Sequence, residues 1–353
     1  MENVQTNSVS EETKEYSSFR YAIGAILAFF GVSSKTHRGS KKRAKLVGDI
    51  ATYIILLLGS FLMIYPFWWM IASSFANTSD VTLSGQVATM KWWPINALPA
   101  TNGSLEMGLF YNYKILFTEG MRGTATTSNG FAIGYTYWRS VINNLLYSVV
   151  PVVVGVITSA SAAFAFAKIN WKGRDVVFMF LLAAIMVPGP SIMTTQYVMY
   201  VSFGWLTGTG APNAWMTLTI PGMFGAIMTA FFIRQFLFGL PTSIVEAAKI
   251  DGAGYFRIFC SFILPLAMPA IVAQGLLSFM GCWNNYMGSL IFIPRNSLWV
   301  NLPHAMTIMN RLYPQNVGPV MAGAVMCVLP VIILFAVFQK MIIGSLMLTG
   351  SKE

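Results

Sequence analysis

Residues 176–233 contain no Asp, Glu, Lys, Arg or His. A soluble domain carries about a quarter charged residues, so 58 uncharged positions in a row are not the surface of anything bathed in water. The stretch is long enough for two membrane crossings of about 20 residues each, with an uncharged turn (204–213, GWLTGTGAPN) between them. The whole chain agrees: 56% of its 353 residues are hydrophobic and 10% charged. An integral, all-α polytopic membrane protein is expected. Backbone polar groups in lipid must be satisfied within the segment, which leaves helices for apolar runs of this length.

Six spans are expected, at about residues 46–73, 138–166, 175–201, 214–236, 262–293 and 318–338. The third passes through a Pro188-Gly189-Pro190 break. Tyr65, Pro66, Trp68 and Trp69 mark the far interface of the first. Lys91, Lys114, Arg122, Arg139, Arg295 and Arg311 fall on one side of the membrane on this scheme, and every other Lys and Arg falls on the opposite side. The positive-inside bias therefore puts both termini and the loop 237–261 in the cytoplasm, and loops 74–137 and 294–317 outside. The net charge of +10 is thus topological and not a sign of nucleic-acid binding. Residues 1–45 read as a cytoplasmic extension that includes a short apolar segment, 19–32, and a basic run, Lys35, Arg38, Lys41, Lys42, Arg43 and Lys45, facing anionic lipid. Segment 19–32 offers only about 20 Å of helix, so an interfacial position is expected, with a short extra span as the alternative.

Several function classes lack their residues. No G-x-x-x-x-G-K-[ST] loop is present, and the length leaves no room for an attached nucleotide-hydrolysing domain of roughly 100–200 residues beside the spans. ATP and Mg, if used, belong to a partner. His37 and His304 are the only histidines, no H-E-x-x-H occurs, and no carboxylate pair lies within a span, so membrane-embedded hydrolysis has no acid-base pair or metal ligands. Cys260, Cys282 and Cys327 are widely spaced and read as small apolar residues. The first eighteen residues carry Glu2, Glu11, Glu12 and Glu15 where a cleavable signal has a basic region. An ion-coupled carrier is the rival class; it commonly uses intramembrane carboxylates, and the span interiors hold none.

The polar insert 241–265, PTSIVEAAKIDGAGYFRIFCSFILP, stands out among these apolar runs. A helix of about three turns is expected there, starting at Pro241 or Ser243, where Ser243-x-x-Glu246 has capping-box spacing, and stopped by Gly252 and Gly254. Ala247 and Ala248 leave the backbone open to close approach by another surface. The plain alternative is a loop helix that binds nothing.

Glu246-Ala247-Ala248, three residues, Gly252, nine residues and then Phe262-Ile263-Leu264-Pro265 resembles the E-A-A-x3-G-x9-I-x-L-P signature of ABC importer permease subunits, with Phe262 where the pattern has Ile. The run EAAKIDGA is most similar to the carbohydrate branch, the maltose-type second permease, and the likeness covers about residues 46–350. The resemblance implies a type I importer fold in the bacterial cytoplasmic membrane. It also implies a homologous second permease, two ATPase subunits that bind ATP and Mg, and an extracytoplasmic solute-binding protein. On that basis Glu246, Ala247, Ala248, Asp251, Gly252 and Arg257 couple to the ATPase. The substrate is then a carbohydrate, an oligosaccharide above all, with a non-sugar solute as the alternative.

Uncharged polar and aromatic residues in the spans are the candidates for a sugar path: Asn143, Asn144, Gln196, Tyr197, Gln274, Trp283, Asn284, Asn285 and Tyr286. Amides suit hydroxyls and aromatic faces suit sugar rings, although Asn and Gln also bond neighbouring helices. The outer loop occupies the position of one that meets the binding protein in the maltose-type relatives, which makes His304, Asn310 and Arg311 contact candidates. The tail 346–353 resembles segments that reach the ATPase pair.

Overall fold

A computed structural model describes residues 37–75, 110–118, 137–295, 297–312 and 317–350. The apolar segment 19–32 and most of the loop 74–137 lie outside the described residues. Two compact units make up the chain, Met1–Trp68 and Trp69–Glu353. In the first, the described part is α1 (His37–Ser74), which continues into the second unit. Its stretch Gly48–Ser74 is long and apolar enough to cross a membrane, and Leu57, Leu62 and Met63 are exposed on it as lipid-facing side chains would be.

Every regular element among the described residues of the second unit is a helix. The elements are α2 (Tyr111–Thr118), α3 (Tyr137–Lys168), α4 (Arg174–Ile185), α5 (Gly189–Ser202), α6 (Trp215–Met223) and α7 (Ile227–Phe238). They continue with α8 (Ser243–Ile250), α9 (Tyr255–Ile258), a π-helical turn (Phe259–Ile263), α10 (Leu264–Trp283), α11 (Tyr286–Phe292), α12 (Leu302–Leu312) and α13 (Val317–Gly350). Among the described residues of both units, five stretches have crossing length and apolarity, α1 included, and the bent pair α4 and α5 makes a sixth if it is one span.

Helix α3 is the axis of the unit. Its first end contributes Tyr137 to one core, with Leu116, Trp283, Val300, Leu302 and Met309. Its other end contributes Ala160, Ala163, Phe164 and Ala167 to a second core, with Ile233, Leu237, Val245, Ala248, Ile258 and Ile263. Small residues along α3 let partner backbones come close, as in membrane helix pairs. At mid-helix the neighbour is the α6–α7 break, where Gly225 has φ +88°. Two hydroxyls of α3 bond the backbone groups freed there: Thr158 Oγ1 donates to the Met223 carbonyl at 3.1 Å, and Ser159 Oγ accepts from Ala226 N–H at 3.0 Å. An interrupted helix at membrane depth needs such partners.

Four spans differ from the sequence reading, the fourth by the α6–α7 break. The third is not straight: α4 and α5 are bent by 95°. Pro188 and Pro190 have no N–H, and Pro188 is extended at ψ 128°, so the hydrogen-bond ladder stops and restarts in a new direction. The fifth starts earlier than residue 262, at Tyr255, because extended Gly254 (ψ 159°) begins a helix that continues through the π-turn. It ends at Trp283, since Asn285 caps a separate helix by accepting from Gly288 N–H at 2.9 Å. The sixth helix runs past residue 338 to Gly350, which makes most of the expected tail 346–353 a continuation of it.

Candidate coupling helix and translocation residues

Helix α8 is eight residues long, about two turns and not three. Thr242 precedes it, and its carbonyl accepts from Val245 N–H at 3.0 Å and Glu246 N–H at 3.2 Å. Ser243 is already helical, no side chain caps the end, and the capping-box spacing goes unused. The other end closes as expected. Gly252 takes φ +77°, Ala253 N–H donates to the Ala248 carbonyl at 2.9 Å, and Gly252 N–H donates to the Lys249 carbonyl at 3.0 Å. Those two bonds form a Schellman motif, which a residue with a Cβ would strain at position 252.

The helix has two distinct faces. Val245 and Ala248 are buried in the second core, under α3 and the α9–π turn. Glu246, Ala247, Asp251, Gly252 and Arg257 are exposed. Ala248 therefore does not offer its backbone to another protein; the surface that approaches it is the chain's own. Lys249 is held to the loop beyond, with Nζ donating to Tyr255 Oη at 2.7 Å and lying 4.5 Å from that ring. Ile250 and Phe256, at 87% and 82% exposure, stand bare beside these polar groups. The sequence reading missed both. The signal was there: Ile250 lies well off the Val245–Ala248 face at 100° per residue, so its side chain has no core to enter.

The path candidates divide into two sets. Asn143, Asn144 and Trp283 are buried and bonded within the chain. Asn143 Nδ2 donates to the Leu298 and Val300 carbonyls at 2.8 and 3.0 Å, and Asn144 Nδ2 donates to the Trp283 carbonyl at 3.2 Å. Trp283 Nε1 donates to the Cys327 carbonyl at 2.7 Å. Asn285 uses its side chain as a cap and its carbonyl to accept from Asn301 Nδ2 at 2.8 Å. Tyr197 and Asn284 are exposed, and Gln196, Gln274 and Tyr286 half-buried.

Of the three outer-loop candidates, Asn310 and Arg311 are exposed on α12. His304 is not on the surface. It is 1% exposed, with Nδ1 3.2 Å from Ser289 Oγ and its backbone N–H donating to Asn301 Oδ1 at 3.1 Å. Burial, with Arg295 and Arg311 as further contributors, pushes its pKa down to about 4 against the opposing Ser289 bond. The folded state thus holds His304 neutral where the unfolded chain would protonate it. Its stabilising contribution is full above the unfolded value of 6.5 and is lost as pH falls from there towards 4. We expect stability to fall by up to about 1.4 kcal/mol per pH unit in that window. Melting of the purified protein between pH 7 and 4.5 checks this, with a flatter profile for His304→Asn.

Together, membrane-length helices, backbone breaks satisfied from within, and a polar two-turn helix seated on one end of the bundle define a polytopic membrane permease. Residues 152–346, more than half of the chain, match the family of binding-protein-dependent transport system inner membrane components, and the chain belongs to that family. It is the permease of an ABC importer, not a catalytic subunit, which displaces the ion-coupled carrier. The chain is similar to the arabinooligosaccharides transport system permease protein AraQ of Halalkalibacterium halodurans, 30% identical over 216 residues, covering 61% of this chain and 75% of that one. It is also similar to the maltodextrin transport system permease protein MalD of Streptococcus pneumoniae, 28% identical, covering 85% and 94%. A crystal structure of a bacterial ABC transporter involved in the import of the acidic polysaccharide alginate contains a chain of the same fold, with a TM-score of 0.62 at 20% identity, covering 87% of this chain and 99% of that one.

Proposed function

We propose that this permease imports an oligosaccharide delivered by a solute-binding protein, and that α8 is the lever coupling it to separate ATPase subunits. Relatives named for arabinooligosaccharides and maltodextrin support the cargo class. The observation that carries the lever is the two-faced α8: Val245 and Ala248 fixed to the bundle, and Glu246, Ala247 and Ile250 open to a partner, with Asp251, Gly252 and Arg257 exposed just beyond it. A short helix with one seated and one open face suits a groove in another protein. The full importer then has a homologous, non-identical second permease, two ATPases holding ATP and Mg, and a binding protein outside. Loop 237–261 and both termini face the cytoplasm in this reading, which the Lys and Arg asymmetry supports. Gln196, Tyr197, Gln274, Asn284 and Tyr286 have side chains free enough to meet cargo, and Asn310 and Arg311 to meet the binding protein.

Two measurements test this. Glu246→Arg and Gly252→Val should leave membrane insertion intact while ATPase co-purification and uptake are lost. Unchanged uptake with both altered would remove α8 from the coupling role. A ligand screen on the partner binding protein should return neutral oligosaccharides; selective binding of an amino acid or an ion would overturn the cargo assignment.

A further inference from the structure

Two cations beside the root of α8 are withdrawn from solvent, Arg234 buried and Lys168 half-buried. Arg234, on α7, is 9% exposed. Its Nε donates to the Phe166 carbonyl at 3.2 Å, near the end of α3, and its Nη2 to Asp175 Oδ1 at 3.1 Å, at the start of α4. Its guanidinium carbon lies 4.0 Å from the Phe178 ring centre and 4.5 Å from that of Phe238. One planar side chain thus joins the ends of three helices. Arg suits this place because its fork bonds in the plane while both faces stack. Lys168, the last residue of α3, answers from the other side: its Nζ donates to the Leu240 carbonyl at 2.6 Å. Leu240 lies just past the end of α7 and three residues before α8 begins.

The arrangement is reciprocal. Helix C-termini carry unsatisfied carbonyls and partial negative charge. Here α7 lends a cation to the end of α3, and α3 lends one to the chain leaving α7. We propose that Lys168 and Arg234 are positioning residues of the coupling step, a crossed clasp that makes the root of α8 move as one body with α3 and α4. The proposal rests on the lever reading of α8. A displacement of α8 reaches the bundle by its core seat at Val245 and Ala248 and through the 239–242 connection, and Leu240 is the point where that connection is tied to α3. Asp175 brings α4 along, and with it the bent α4–α5 pair. Without the clasp, only the core seat at Val245 and Ala248 links α8 to α3, and part of the hydrolysis is spent without transport.

The test uses the complete importer in liposomes, with binding protein and ATPase, and reads substrate transported per ATP hydrolysed. Arg234→Gln and Lys168→Gln should each lower that ratio about tenfold, the effect of removing a charge-assisted hydrogen bond, while the ATPase still co-purifies. Lys168→Arg should restore it. The double variant should be no worse than the poorer single, because either loss opens the same clasp. An unchanged ratio in Lys168→Gln, or losses that multiply in the double variant, would overturn the proposal. If Arg234→Gln fails to accumulate, the Lys168→Gln and Lys168→Arg pair decides alone. Should Glu246→Arg and Gly252→Val leave uptake intact, the lever itself fails. Should they abolish uptake while the clasp variants keep a normal ratio, the clasp alone falls.

Discussion

Gly155→Leu is expected to prevent the permease from accumulating as a folded, assembled subunit. A Cβ at Gly155 would collide with the Gly222 carbonyl oxygen, with Gly222 C at 3.4 Å and Gly225 Cα at 3.8 Å behind it. The crossing is equally tight from the other side, since a Cβ at Gly222 would lie 2.7 Å from Pro151 Cβ. The obstacles are backbone and proline-ring atoms, so no rotamer change relieves them. Forcing side-chain volume into such a contact costs about 1–3 kcal/mol or more. Separating the helices would also break the Thr158 and Ser159 bonds that satisfy the α6–α7 break, at about 1 kcal/mol each. Gly281→Ala is the control, because a Cβ there meets nothing within 4 Å and Ala favours the helix. Yield after detergent extraction and the melting midpoint check the pair. A wild-type midpoint for Gly155→Leu would mean that α3 and α6 are not in backbone contact.

The spans were readable because lipid imposes one requirement, a run of apolar residues of fixed length, and that requirement is local. Their breaks were readable only where the breaker is itself distinctive. Pro188-Gly189-Pro190 announced an interruption, but its 95° bend depends on what α4 and α5 pack against. The separation of α10 from α11 was hidden in a long uncharged run, and its marker, Asn285, looked like any polar residue in a span. The same ambiguity applied to the cargo candidates. Asn143 and Trp283 have the chemistry for sugars, yet their donors meet carbonyls more than 40 residues away, 155 and 157 for Asn143 and 44 for Trp283. Lys168 and Arg234 read as topology markers at span ends, and that reading accounts for their charge but not for their partners. Lys168 and Leu240 are 72 residues apart, and no periodicity links them.

Ala248→Leu and Ala247→Leu should separate the seat of α8 from its open face. Both residues belong to one motif and are chemically identical, so the motif alone predicts like effects. Their environments are opposite: Ala248 is 4% exposed in the core with Val245, Ile258 and Ile263, whereas Ala247 is exposed. Three extra carbons at position 248 have no space and must push α8 away from α3, at about 1–3 kcal/mol. The loss belongs to the permease itself, so Ala248→Leu should lower the melting midpoint of the permease purified without ATPase. In the assembled importer it should nearly abolish uptake, because a tilted α8 presents Glu246 and Ile250 in the wrong place. Ala247→Leu should leave the ATPase-free midpoint unchanged and act only when the ATPase is present, by weakening its association. Equal midpoints for the two variants would mean that α8 is not seated on the bundle. The motif's two alanines would then both belong to the docking surface, and the rigid path from α8 to Lys168 and Arg234 would lose its first link.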